Sequence, residues 1–157
     1  MSEAPQGSSV TNRLELFPPF KSMGVELLEI TDDWSLVRLL LPLNRHNMNP
    51  GGSMFGGSIA ALADPVAALA CHNRFPDFTV WTRTLNVDFR KPGMSDLELR
   101  FNFPEKTAAD VVYQLQKRGR ATPAFEFGIY DASNDLAAWV DNTVAIRPGN
   151  ESSNKMV

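Results

Sequence analysis

The chain has one cysteine and two histidines among 157 residues. Cys71 has no partner for an internal disulfide, and His46 and His72 alone cannot complete a Cys/His metal spacing. The expectation is a protein without a bound metal, with an all-carboxylate ion site the one arrangement left open. Positive charge is also scarce: Lys and Arg total 15 against 18 for Asp and Glu, a net charge of -3. No general positive field is present to hold nucleic acid or an anionic membrane. No apolar run approaches the ~20 residues that cross a bilayer. The opening MSEAPQGSSV has neither a basic start nor an apolar stretch, so a cytoplasmic protein with no membrane partner is expected.

The hydrophobic fraction of 43% is enough for a single buried core in one domain. Residues 1–11 and 149–157, rich in Ser, Asn, Gly and Glu, read as mobile tails around a folded domain at 12–148. Within 12–23, Leu14, Leu16, Phe17, Phe20 and Met23 suggest a short, loosely packed helix interrupted by Pro18 and Pro19. Two strands, 25–31 and 34–43, follow as a hairpin across Asp32-Asp33, with Val37, Leu39, Leu41 and Leu43 on one parity. A loop from Asn44 to Gly52 leads into a helix over 54–70.

Beyond that helix the period is two. Residues 79–91 put Trp81, Leu85, Val87 and Phe89 on one face, with Thr82, Thr84, Asn86 and Asp88 on the other. Residues 96–103 bury Leu97, Leu99, Phe101 and Phe103. A short helix is expected at 107–117 after Thr107 as cap, then a hairpin of 124–131 with 136–147 across Ser133-Asn134. An antiparallel sheet with one apolar face and one long apolar helix to cover it makes an α+β fold, the sheet wrapped around the helix.

That helix carries the oddest feature of the chain. Phe55, Ile59, Leu62, Val66 and Leu69 form one stripe, predicted to pack on the sheet. Opposite lie Gly57, Ala60, Ala67, Ala68, Cys71 and Asp64, the sole charged side chain between Asn47 and Asn73. Small residues on that far face predict that a second copy of the chain covers it, which makes a homodimer. A carboxylate there is paired, bonded to loop amides, or kept for chemistry; the residues alone leave these open. Pro65 kinks the helix beside it, as curvature or as a means of aiming the acid. The preceding turn, NPGGSMFGGS, supplies free N–H groups at a helix start, where an oxyanion is stabilised.

These residues resemble the hotdog-fold thioesterase superfamily, in the branch of phenylacetate-pathway and related acyl-CoA thioesterases, over about Pro42 to Arg147. The likeness rests on Asn49, Gly52, the pair Gly56-Gly57 and Leu62-Ala63-Asp64, followed by the strand TRTLNVDFRKPG at 82–93. Met-Phe-Gly-Gly, Ala-Asp-Pro and Trp81 are most similar to a largely uncharacterised branch. The resemblance implies a hotdog fold, paired into homodimers or a dimer of dimers, with two sites at the subunit interface. It implies an acyl-CoA or acyl thioester substrate and no cofactor. Asp64 is then the general base or nucleophile. The Gly56 amide, helped by Gly57, is the oxyanion hole, reaching the Asp64 of the other subunit. Asn49 positions thioester and water, and Thr82 supplies a hydroxyl to the attacking water.

Met54 and Phe55 beside the glycines, and Trp81, are the expected acyl contacts, although the stripe assigns Phe55 to the core and parity does the same for Trp81. Arg83, Arg90 and Lys91, with Arg74, are the cations available to coenzyme A phosphates. Phe55 stands where the better-studied branch has histidine, and His46 reads as an exposed loop residue. Loss of that imidazole makes a non-catalytic acyl-CoA or acyl-carrier binding protein the alternative. Hydratase chemistry, which pairs His with an acid in this fold, ranks last.

Overall fold

The computed structural model describes residues 14–149; the expected tails at 1–11 and 149–157 lie outside the described residues except for Gly149. Residues 14–16 are helical and the chain bends at Phe17, so the helix is interrupted at the prolines as expected; Pro18 and Pro19 then open α1 (Pro18–Met23), where their fixed φ fits and no N–H is needed. Its Phe20 is fully buried, so the segment is not loosely held. Six strands follow: β1 (Glu26–Ile30), β2 (Leu36–Leu41), β3 (Phe78–Phe89), β4 (Leu97–Asn102), β5 (Ala124–Tyr130) and β6 (Leu136–Pro148). They form one sheet in the order β1-β2-β4-β5-β6-β3, antiparallel at every pairing.

The long helix α2 (Gly56–Arg74) joins β2 to β3 and packs against β2, β3, β4 and β6. The chain is thus α+β, a sheet wrapped around one helix, in the hotdog arrangement. A shorter helix, α3 (Glu105–Arg118), starts after Pro104 rather than at Thr107 and ends at Gly119 in the left-handed conformation. No helix among the described residues is long and apolar enough to cross a membrane.

Period-two patterning becomes cross-strand packing. Val37, Leu39 and Leu41 lie opposite Phe101, Leu99 and Leu97, and all six are fully buried. Each such side chain contributes roughly 1.5–3 kcal/mol. The hairpin turns are built by aspartates: Asp33 accepts from the Ser35 amide, and Asp131 from the amides of Ser133 and Asp135.

The buried face of α2 differs from the predicted stripe. Ser58, Leu62, Val66 and Ala70 are buried, and so are Ile59, Ala63, Ala67 and Cys71. Steps of four residues advance about 40° around a helix, so the contact line precesses as the helix runs along the curled sheet. Ala67 and Cys71, expected on the far face with Asp64, end inside for that reason. Burial pushes the Cys71 thiol up to about 12. Phe55, expected in the core, is 55% exposed at the helix start.

In β3 the parity reading fails at one point. Thr82 pairs with Val144 and Thr84 with Thr143, so Arg83 is an extra residue and the strand bulges. Leu85, Val87 and Phe89 share the helix-facing side with Val80 and Thr82. Trp81 is turned to the opposite, convex face, where it is 47% exposed beneath the Arg147 guanidinium at 5.9 Å.

Candidate active site at the start of helix α2

The loop into α2 is held by two asparagines with different tasks. Asn47 is buried: its Nδ2 donates to the carbonyls of Met23 (2.7 Å) and Pro42 (3.0 Å), and its Oδ1 accepts from Ser58 Oγ (3.3 Å). Its own carbonyl accepts from the Phe55 amide at 2.6 Å, which fixes the residue that leads into the helix. Asn49 folds the turn after it. Its Oδ1 accepts from the amides of Gly51 (3.0 Å) and Ser53 (3.2 Å), and its Nδ2 donates to Ser53 Oγ (2.7 Å). Both ends of the Asn49 amide are thus engaged within its own turn, with one of the two Nδ2 hydrogens used.

Met54 is buried rather than available to an acyl chain. Its amide donates to the Gly93 carbonyl at 2.7 Å, and a Cβ on Gly93 would lie 3.0 Å from the Met54 Cβ. Only glycine allows the β3–β4 connection to approach the loop so closely.

From this base α2 begins without a side-chain cap. The amides of Ser58 and Ile59 donate to the Phe55 carbonyl, whereas those of Gly56 and Gly57 donate to no backbone carbonyl of the described residues outside the helix. Two rings flank them. A Cβ on Gly57 would meet the Phe55 ring at 2.3 Å, and one on Gly56 would meet the Phe89 ring at 3.3 Å. Phe89 is 53% exposed, so the N–H pair sits between two rings that face outward. Donors with the positive end of a helix behind them, in apolar surroundings, suit an oxyanion.

Asp64 lies on the outward side of the same helix, exposed, with no ion pair or side-chain hydrogen bond among the described residues. Thr82 comes up to it from β3: its Oγ1 donates to the Asp64 backbone carbonyl at 2.9 Å. The bulge is what makes this contact possible, because plain alternation puts Thr82 on the convex face.

Of the expected cations, three have local tasks. Lys91 meets Asp131 at 2.6 Å and Asp135 at 3.3 Å; these two carboxylates, Asp131 first, raise the lysine's pKa, and the lysine holds Asp131 below its usual range. Arg90 pairs with Asp88 at 2.7 Å. Arg74 donates to the Asp33 carbonyl and carboxylate and stacks 4.4 Å over Phe103. Arg83, in the bulge, is exposed and makes no ion pair among the described residues. A cleft of about 380 Å³ opens at the far end of α2, lined by Asp33, Arg74, Phe75, Ala108, Ala109 and Val112. With both charged residues bonded to each other it holds no free acid or base.

The sequence did not single out Asn47, whose burial no periodicity signals, or Phe89 as a neighbour of Gly56. The parity of Phe89 with Leu85 and Val87 was the available signal for its facing the helix.

The fold defines a class: a hotdog protein, with the candidate groups Gly56, Gly57 and Asp64 on its central helix. Solved structures agree on the fold. A Pseudomonas aeruginosa protein of unknown function, described as a probable thioesterase, superposes with a TM-score of 0.82 at 18% identity, covering 92% of this chain and 97% of that one. A Haemophilus influenzae thioesterase gives 0.71 at 18% identity, with 93% of each chain covered. The PaaI protein of the Escherichia coli phenylacetic acid degradation operon gives 0.67 at 16%, covering 92% of this chain and 94% of that one. Residues 9–146 match the family described as a domain of unknown function, DUF4442, and the chain belongs to that family. No curated protein matches the sequence.

Proposed function

We propose that the protein is an acyl thioester hydrolase, with acyl-CoA as substrate, acting as a homodimer or a dimer of dimers. The observation that carries the reading is the pairing, on one helix, of amides at its start with a carboxylate two turns on, both without partners outside the helix among the described residues. Asp64 takes a proton from water, and the water oxygen attacks the thioester carbonyl carbon. The developing oxyanion is held by the amides of Gly56 and Gly57 until the C–S bond breaks and the thiolate leaves. This chemistry needs no cofactor, and the reading takes the cytoplasm, where acyl-CoA is available, as its location.

Distance favours two copies. Asp64 lies eight residues beyond Gly56, about 12 Å along the axis, and the amides at a helix start point away from the rest of the helix. Donor, oxyanion, carbonyl carbon, water and base together span less than about 9 Å. The reading therefore pairs Gly56 of one chain with Asp64 of another. The unpaired outer edge of β3, which carries Arg83, is the surface on which a second copy completes the site and coenzyme A phosphates are met.

A second reading has its own support. The Phe55 ring lies over Gly57 where an imidazole would orient the thioester, which favours a protein that binds acyl-CoA without turning it over. Release of free thiol from short, medium, long and aromatic acyl-CoAs separates the two. Hydrolysis by the parent, abolished in Asp64→Asn and Asp64→Ala, is the expected result. Equal rates in the variants would refute the role of Asp64, and binding without thiol release would establish the second reading.

A further inference from the structure

We infer that Asn142 is a positioning residue: by holding the bulge in β3 it turns Thr82 toward the Asp64 turn of α2. Asn142 is 1% exposed and sits on the helix-facing side of β6 between Val140 and Val144, opposite Leu85 and Phe125. Its Nδ2 donates to the Thr84 carbonyl at 2.9 Å, and its Oδ1 has no hydrogen-bond partner among the described residues. A buried amide with its carbonyl oxygen unmet is a cost that leucine of similar size avoids. Its one bond goes to the residue at which Arg83 and Thr84 together oppose Thr143.

On the other face the Thr84 and Thr143 hydroxyls bond each other, so the bulge is gripped from both sides of the sheet. The geometry that follows is a matter of parity. With the bulge in place, Thr82 and Leu85 both face α2; if residues 78–83 slip by one to restore plain alternation, Thr82 moves to the convex face and its bond to the Asp64 carbonyl is lost.

The activity arm of the test rests on the hydrolase reading, and a structural arm does not. In a crystal structure of Asn142→Leu, the 2.9 Å bond from the Thr82 hydroxyl to the Asp64 carbonyl is expected to be lost while the protein stays folded. On an acyl-CoA the parent hydrolyses, kcat should fall about 10- to 100-fold with KM within about twofold of the parent. Thr82→Val should lower kcat similarly, and Asn142→Leu added to it should cost nothing more, since both act through one contact.

Deleting Arg83 supplies the second variant. Without the extra residue Thr82 faces the helix by plain alternation, so its contact with the Asp64 carbonyl should persist and become insensitive to Asn142→Leu. A contact that survives in Asn142→Leu, or losses that multiply in the double variant, would overturn the inference. If the parent hydrolyses no thioester but Asn142→Leu still loses the contact, the hydrolase reading falls and the assignment of Asn142 stands.

Discussion

Replacing Gly56 by proline would delete one N–H group and disturb little else. Gly56 is the first residue of α2, where proline is tolerated, and Phe55 before it is extended (φ -64, ψ 127), the conformation a residue preceding proline prefers. The deleted amide donates to no backbone carbonyl outside the helix among the described residues. The new Cβ would meet the Phe89 ring at 3.3 Å, so that ring must give by a few tenths of an ångström. Stability should therefore change by no more than about 1 kcal/mol. Thiol release should fall roughly 10²- to 10³-fold, about 3–4 kcal/mol, as for loss of one oxyanion donor.

The same variant tests the two-chain site. Coexpressed with Asp64→Asn under two affinity tags, it gives heterodimers in which one site joins an intact Gly56 to an intact Asp64 from the other chain. Such heterodimers should recover about half the parental rate, although each homodimer is inactive. A site built within one chain predicts no recovery at all. Inactive heterodimers, or full activity in Gly56→Pro, would refute the reasoning.

Two further outcomes concern stability. Asn47→Ala removes two donated bonds and one accepted bond from the buried base of the loop, which should lower stability by about 2–4 kcal/mol and Tm by roughly 5–12 °C in a thermal melt. An unchanged Tm would show that the loop does not depend on it. Asp33 has its carboxyl pulled from 3.8 to about 2 by hydrogen bonds from the Ser35 hydroxyl and amide and from Thr31, with Arg74 assisting. Since the folded value is the lower one, Asp33 stabilises the fold above its ordinary pKa, and that contribution is lost as pH falls from 3.8 toward 2. Urea midpoints of Asp33→Asn should accordingly change less across that window than those of the parent.

Residues with a single environment along their element were the legible ones. Leu97, Leu99, Phe101 and Phe103 alternate, and all four are buried as the period requires. The helix over 54–70 was visible from its small and apolar residues, and it extends to Arg74. What pattern alone missed arises from contacts between elements. Trp81 and Thr82 exchanged faces because one extra residue, Arg83, reverses the parity of everything before it, and no local propensity marks a bulge. Ala67 and Cys71 went inside because the sheet curls around the helix. Phe55 came out because it precedes the first turn, where the stripe no longer meets the sheet. The candidate site was legible as chemistry, in Asp64 and the glycine pair, but its supports were not: Asn47, Phe89 and Asn142 act through long-range contacts.

The turn at Asn49 has a consequence for how fast a ligand can be admitted. Five hydrogen bonds close residues 49–53 upon themselves: the amides of Asn49 and Gly52 donate to backbone carbonyls, and three more involve the Asn49 side chain. The backbone turn that leads to Gly56 and Gly57 is thus ordered during folding and not by a ligand. Within the described residues the side chains lying against those two glycines are the rings of Phe55 and Phe89. Exposed side chains change rotamer in picoseconds to nanoseconds, whereas loops take nanoseconds to microseconds and hinged lids longer. Entry to this site should therefore proceed on the clock of a side-chain flip.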